Sequence, residues 1–323
     1  MKLAANRPRI ESVHCEQRYA SDFAVLRTLT PARDSSRKQR SAQVKIRKAR
    51  PSDKSPILEI SKKIWSGHDY LPHVWDDWLA DKNGRLIVAT VNGRTVGAAH
   101  ASLQTPDVAW LEGVRIHEQF RGVGIAGTLN KSLVEWARRR HARVARLSTD
   151  SSNYASRKHL EKIGFPVLQT FQRLDARKGL RTKPAGVSMP RGSAKRLWNW
   201  MTACPEFGEN RAMYSEGWTW YPLTLQTLRK HMSQGRVLTT IRDNQPSACC
   251  IFLDEDGVLT MGFVAGERTD LGRLIRMLRF LMFRKKRERL RVLLPSKTPL
   301  MRSLEHSGFE KTAKILVYEK FLG

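Results

Sequence analysis

Arg121-Gly122-Val123-Gly124-Ile125-Ala126-Gly127 is the stretch whose reading decides the fold. It follows Trp110–Ile116, which patterns as a strand. It opens Gly127–His141, where Leu129, Leu133, Trp136 and Ala137 share one helical face. Glycines let a backbone approach an anion closely, and the free N–H groups at a helix N-terminus point toward it. The loop therefore reads as a phosphate cradle. Its surroundings exclude two other phosphate loops. Gly122, Gly124 and Gly127 fit the Gly-x-Gly-x-x-Gly spacing, but the strands before them pair as an antiparallel hairpin, not as a parallel βαβ unit. A Walker A loop needs Lys-Ser/Thr after its last glycine, and Thr128-Leu129 follow here.

Working outward, Val44-Lys-Ile-Arg-Lys alternates as a strand, and Ile57, Ile60 and Ile64 recur at helical spacing. Leu86–Val91 and Val96–Leu103 are two strands joined by Asn92-Gly93, a strong hairpin signal. After the loop come a strand at Val144–Leu147, a helix at Ser156–Lys162 and an exit through Gly164-Phe165. The second half repeats the first. One offset of 151 residues carries Tyr70 to Tyr221 and Arg85 to Arg236, and Leu160-Glu-Lys-Ile-Gly-Phe165 returns as Leu304-Glu-His-Ser-Gly-Phe309. The expected domains are a disordered basic tail at 1–42, a first domain at 43–173, a linker at 174–193 and a second domain at 194–323. Each domain is expected to be α/β (α+β type), a twisted, mainly antiparallel sheet flanked by helices.

The chain has 323 residues, 41% of them hydrophobic, enough for two ordinary cores. No apolar run approaches the ~20 residues that span a bilayer. Cys15, Cys204, Cys249 and Cys250 form no Cys-x-x-Cys pair, so reduced thiols, a cytoplasmic location and no metal site are expected. The net charge of +28 favours polyanionic company, such as nucleic acid or a phosphorylated cofactor. No nucleic-acid motif accompanies it. Trp65, Trp75 and Trp78 are expected core residues.

Arg121, Gly124 and Ala126, between a strand and a helix, resemble the acetyl-CoA signature of the GNAT superfamily of N-acetyltransferases. Asn153-x-x-Ser156 resembles that superfamily's next motif. A narrower likeness, to histidine N-acetyltransferases, lies in Gly67-His-Asp-Tyr-Leu-Pro72, Trp78-Leu79 and Leu111-Glu-Gly-Val-Arg-Ile116. The resemblance implies two tandem GNAT-like domains and acetyl transfer from acetyl-CoA to an amine without a metal. The acceptor implied is the α-amine of a small amino acid such as histidine. The alternatives are a protein N-terminus or lysine, or a basic binding module on an idle fold. Backbone of Val114, Arg115 and Ile116 would run beside the pantetheine arm. Arg121, Gly122, Val123, Gly124, Ile125, Ala126 and Gly127 would hold the pyrophosphate, and Asn153 the distal arm.

An amine attacks only when neutral, so a base is needed. Glu112 is the candidate, expected on the strand face of Val114 and Ile116 unless a bulge of the kind usual in the GNAT superfamily breaks the parity of this strand. Binding the substrate ammonium, or pairing with Arg115, are its other readings. His100 is a weaker candidate. Asp69 and Tyr70 are expected to bind the acceptor. Leu160 stands where many family members place the tyrosine that protonates the departing thiolate. Copy two reads Ala265-Gly-Glu-Arg-Thr-Asp-Leu-Gly272 in place of the loop, so it is expected to bind no cofactor and to act as a lid. Trp218, Trp220 and Tyr221 would then brace the loop at Asp69–Pro72.

Overall fold

The computed structural model describes residues 43–323 except 65, 66, 68, 191 and 256; the expected tail and Trp65 lie outside the described residues. The first half runs β1 (Val44–Lys48), α1 (Lys54–Ser61), α2 (Leu71–Ala80), β2 (Gly84–Val91), β3 (Arg94–Thr105), β4 (Val108–Ile116), α3 (Ile125–Arg139), β5 (Val144–Asp150), α4 (Tyr154–Lys162) and β6 (Val167–Ala176). The second runs α5 (Ala194–Ala203), α6 (Pro205–Glu209), β7 (Met213–Glu216), β8 (Thr219–Pro222), α7 (Leu225–Ser233), β9 (Val237–Arg242), β10 (Gln245–Glu255), β11 (Val258–Gly266), α8 (Arg268–Arg284), β12 (Arg289–Pro295), α9 (Leu300–His306) and β13 (Glu310–Phe321). From β2 onward the order of the first half returns as β9 to β13. Even the hairpin turns match, because Asn92 and its counterparts Asp243 and Asn244 all take the left-handed conformation.

The described residues gather into two compact units, one within 43–102 and 112–136, the other within 103–111 and 137–323. These boundaries depart from the expected 43–173 and 194–323. Strand pairing in the second unit explains the difference. Its strands run β4-β5-β13-β6-β12-β11-β10-β9, so the last strand of each half is exchanged into the other. β13 lies antiparallel between β5 and β6, with Val317 opposite Ser148 and Gln169. β6 in turn lies against β12, with Val292 opposite Leu174. Leu174, Val292 and Leu294 pack under Leu274, Leu278 and Leu304 of α8 and α9.

In the first unit, β1 and β3 flank β2 in antiparallel register. Leu86, Val88 and Ala98 share the face that packs on Ile57 and Ile60 of α1 and on Leu71, Val74, Trp75 and Trp78 of α2. Register places His100 opposite Leu86, on this same face. That places an imidazole beside an apolar helix.

Candidate active site

The loop after β4 is open backbone. Gly122 and Gly124 adopt φ of +81° and +88°, which side chains rarely tolerate, and nothing within 4 Å would meet a methyl group on either. Among the described residues, no amide from Gly122 to Gly127 finds an acceptor; the first helical bond runs from Thr128 N–H to Gly124 O. Six successive free donors at the start of a 15-residue helix, α3, make a site that fits a pyrophosphate. Val123 is exposed, and Arg121 reaches back to Ile116 O at 3.3 Å.

Upstream, the parallel register of β4 with β5 covers only Val108–Trp110. Past it, His117 N–H donates to Val96 O of β3 at 2.8 Å, and Arg115 O lies toward Gly97 of the same strand. Backbone polar groups alternate along a strand, so those of Val114 and Ile116 turn away from β3. Arg115 therefore differs from its expected role: its backbone faces β3, while its side chain makes a paired contact with Asp69, both bonds 2.7 Å. Burial works against the charge of Arg115, but the Asp69 carboxylate outweighs it and keeps the guanidinium above its ordinary range.

The same pair corrects Asp69. Both of its oxygens are engaged by Arg115, one also accepts the Leu71 N–H that starts α2, and the side chain is only 1% exposed, so its charge is spent on a buried ion pair. Tyr70, next in sequence, stands edge-on to Trp78 and beneath the Arg115 guanidinium, 5.3 Å from its ring centre. Burial pushes the phenol well above its usual range, Arg115 pulls it down, and the charges of Glu112 and Asp69 raise it again. The phenol keeps its proton through neutral pH.

Glu112 is the second correction. It was expected on the face of Val114 and Ile116; instead its Oε1 lies 3.1 Å from His100 Nδ1. His100 stacks on Trp78, with ring centres 4.5 Å apart and planes 8° apart. Glu112 and Arg115 thus both meet groups on the α2 side, though three residues apart they should point to opposite faces. Gly113 lies between them with φ +70°, which breaks the alternation. A methyl group there would come within 2.5 Å of the Trp78 ring.

Asn153 lies in the other unit. Its side-chain oxygen caps α4 by accepting the Ser156 N–H at 3.1 Å. Leu160 is buried, and Tyr154 is 68% exposed. Asp81 and Gly84 went unnoticed in the sequence. The Asp81 carboxylate is 3.9 Å from His100 Nε2, and only the missing side chain of Gly84 leaves room for both. A lone glycine at a strand start carries no such signal.

Residues 55–165 match the model of the acetyltransferase (GNAT) family. The chain carries a GNAT acetyltransferase domain. Histidine N-acetyltransferase of Oreochromis niloticus is 31% identical over 105 residues, 32% of this chain and 31% of that protein. Probable N-acetyltransferase 16 of Homo sapiens is 32% identical over 97 residues, 29% and 26% of the two chains. The chain spans about a third or less of the length of these relatives. Among solved structures, a GCN5-related N-acetyltransferase from Sphaerobacter thermophilus superposes with a TM-score of 0.63 at 15% identity, covering 86% of this chain and 96% of the other. A tandem GNAT protein from the clavulanic acid biosynthesis pathway gives 0.56 at 14%, covering 87% and 99%. The tandem GNAT fold thus extends over most of this chain, well beyond the residues matched by the family model. Among the described residues, no helix is long and apolar enough to cross a membrane.

Proposed function

We propose that this chain transfers acetyl from acetyl-CoA to the α-amine of a small amino acid such as histidine, in the GNAT domain of its first half. The observation that carries the reading is the run of acceptor-free amides from Gly122 to Gly127, entered from the strand that holds Glu112. The curated relatives named histidine N-acetyltransferase support the choice of acceptor. Acetyl-CoA, when bound, supplies the activated acetyl group as a thioester.

The amides of Gly122, Val123, Gly124, Ile125, Ala126 and Gly127 hold the pyrophosphate, and Arg121 adds charge. Val114 and Ile116 donate along the pantetheine arm, and Val114 N–H polarises the thioester carbonyl where negative charge develops. Glu112 takes the proton from the acceptor amine, and Tyr70 lines the acceptor side. Asp69 acts one step back, by holding Arg115 over the Tyr70 ring. CoA thiolate leaves readily near neutral pH, so Leu160 in place of a tyrosine does not stop turnover.

The test is thiol release from acetyl-CoA with each L-amino acid, alongside calorimetry. One mole of acetyl-CoA per chain and turnover with histidine are expected. Glu112→Gln should cut kcat by ~10²–10⁴ with the acetyl-CoA KM little changed. A risen acceptor KM instead would make Glu112 an ammonium ligand. No release with any amine would refute the proposal.

A further inference from the structure

We propose that His100 is a positioning residue for Glu112, holding one carboxylate oxygen through its Nδ1–H and so leaving the other as the basic atom. The inference rests on the reading of Glu112 as the base. An ionised carboxylate offers only acceptors, so the hydrogen in the 3.1 Å contact belongs to His100 Nδ1. The Glu112 side chain is 23% exposed while that of His100 is 2% exposed, so the imidazole holds the carboxylate from its buried side.

The ring sits in a built slot. Trp78 covers one face. Asp81, whose Oδ1 accepts the Asn83 N–H at 2.8 Å, stands at the Nε2 end. Two glycines make the space: a methyl group at Gly84 would lie 2.7 Å from His100 Nε2, and one at Gly113 would strike Trp78. Gly84 has an ordinary φ, so the constraint there is room and not backbone conformation. A histidine that only filled the core would not need its tautomer set by a carboxylate at one end. Among the described residues, no group of three His, Cys, Asp or Glu could hold a metal ion, and Asp81, 3.9 Å from Nε2, is beyond hydrogen-bond reach, so His100 and Glu112 are read as a hydrogen-bonded pair. Fixing the Glu112 rotamer removes conformers that would otherwise have to be lost in reaching the amine.

The experiment uses the full chain labelled with ¹⁵N-histidine, with His100 assigned by its loss in His100→Asn. Long-range ¹H–¹⁵N spectra should show the hydrogen on Nδ1 in the wild type, and Glu112→Ala should release that preference. This reading requires no acceptor. A bare Nδ1 beside an intact Glu112 overturns the proposal. In the thiol-release assay with an equimolar L-amino-acid mixture, His100→Phe should lower kcat by about 10–100-fold while leaving the acetyl-CoA KM in place. His100→Asn, which returns an N–H near the Nδ1 position, should recover to within about threefold. Full kcat in His100→Phe, or no recovery in a folded His100→Asn, also overturns it. Should Glu112→Gln turn over normally, the base reading fails while the tautomer result stands on its own, so the two failures are distinguishable.

Discussion

At the entry to α3, a methyl group on Gly122 or Gly124 would meet nothing within 4 Å; at the entry to α8, one on Gly266 would lie 2.4 Å from Ser247 O and 2.5 Å from Ala248 Cα. The two copies share strand, turn and helix, yet the second has closed the space. It has also supplied its own anions. Asp270 is fully buried in the first turn of α8, paired with Arg242 and Arg273 at 2.9 Å each, and Arg242 also reaches Glu267. A helix N-terminus favours negative charge whatever its source, and carboxylates of the chain itself stand in that position here. The hairpin β7–β8 completes the closure. A methyl group on Gly262, just past the end of the β11–β12 pairing at Met261, would run into its Ser215 O. Copy two keeps the fold and has filled the gaps. Trp218 and Trp220 belong to that filling. Trp220 packs with Trp110, Phe171, Leu293, Ile315 and Val317, and Trp218 O accepts from Ser148.

Several changes would break or sharpen this contrast. The largest effect is expected from truncation after Arg181. A fragment with its own complete sheet would fold and bind acetyl-CoA. The exchanged strands argue otherwise, because the cut removes β12 and β13, which pair with both edges of β6, and β13 also pairs with β5. The fragment should be largely unfolded or aggregated by circular dichroism, and a cooperative melt would show that the exchange is dispensable.

The glycines should separate stability from binding. Gly266→Val adds atoms where backbone already stands, at φ +122°, and should cost ~3 kcal/mol or more in denaturant melts with acetyl-CoA affinity unchanged. Gly124→Val meets no atom and should lower the melt only by the backbone strain of φ +88°, ~1–2 kcal/mol, while weakening acetyl-CoA by at least tenfold, ~1.4 kcal/mol. Equal effects on both readouts at both sites would remove the distinction.

A smaller, pH-dependent effect is expected at His231 of α7, buried edge-on against Tyr214. At the 151-residue offset, copy one has Ala80 there. Burial, then the charges of Arg236 and Lys230, lower the His231 pKa to about 4. The unfolded chain therefore binds this proton before the folded one does. Stability should be unaffected above the ordinary histidine value near 6.5, fall as pH drops below it, and level off below about 4. By pH 5 the loss is on the order of 2 kcal/mol. Denaturant melts of His231→Leu across this range should lack that slope.

Local features were legible without coordinates, because their causes are local. The Asn92-Gly93 turn, the glycines of the loop, the stripe of α3 and the repeat each depend on a few neighbouring residues. Composition was equally sufficient to say that the chain could build ordinary cores. Contacts set by distant residues were not legible. Arg115 was free in the sequence to pair with Glu112, and only the fold brings Asp69 to it from 46 residues away. Period-2 reasoning placed Glu112 on the wrong face, because one left-handed glycine resets the alternation and a sequence does not announce φ. The exchange of β6 and β13 lay furthest from view. Either strand alternates well enough to pair with β5 or with β12, and the choice is made by which arrangement buries both strands on both edges at once. Motif, repeat and cradle were therefore properties of the sequence. Strand partnership, the ion pair over Tyr70 and the imidazole behind Glu112 were decided by tertiary structure, where pairings between residues far apart in the chain compete and one packing satisfies most of them.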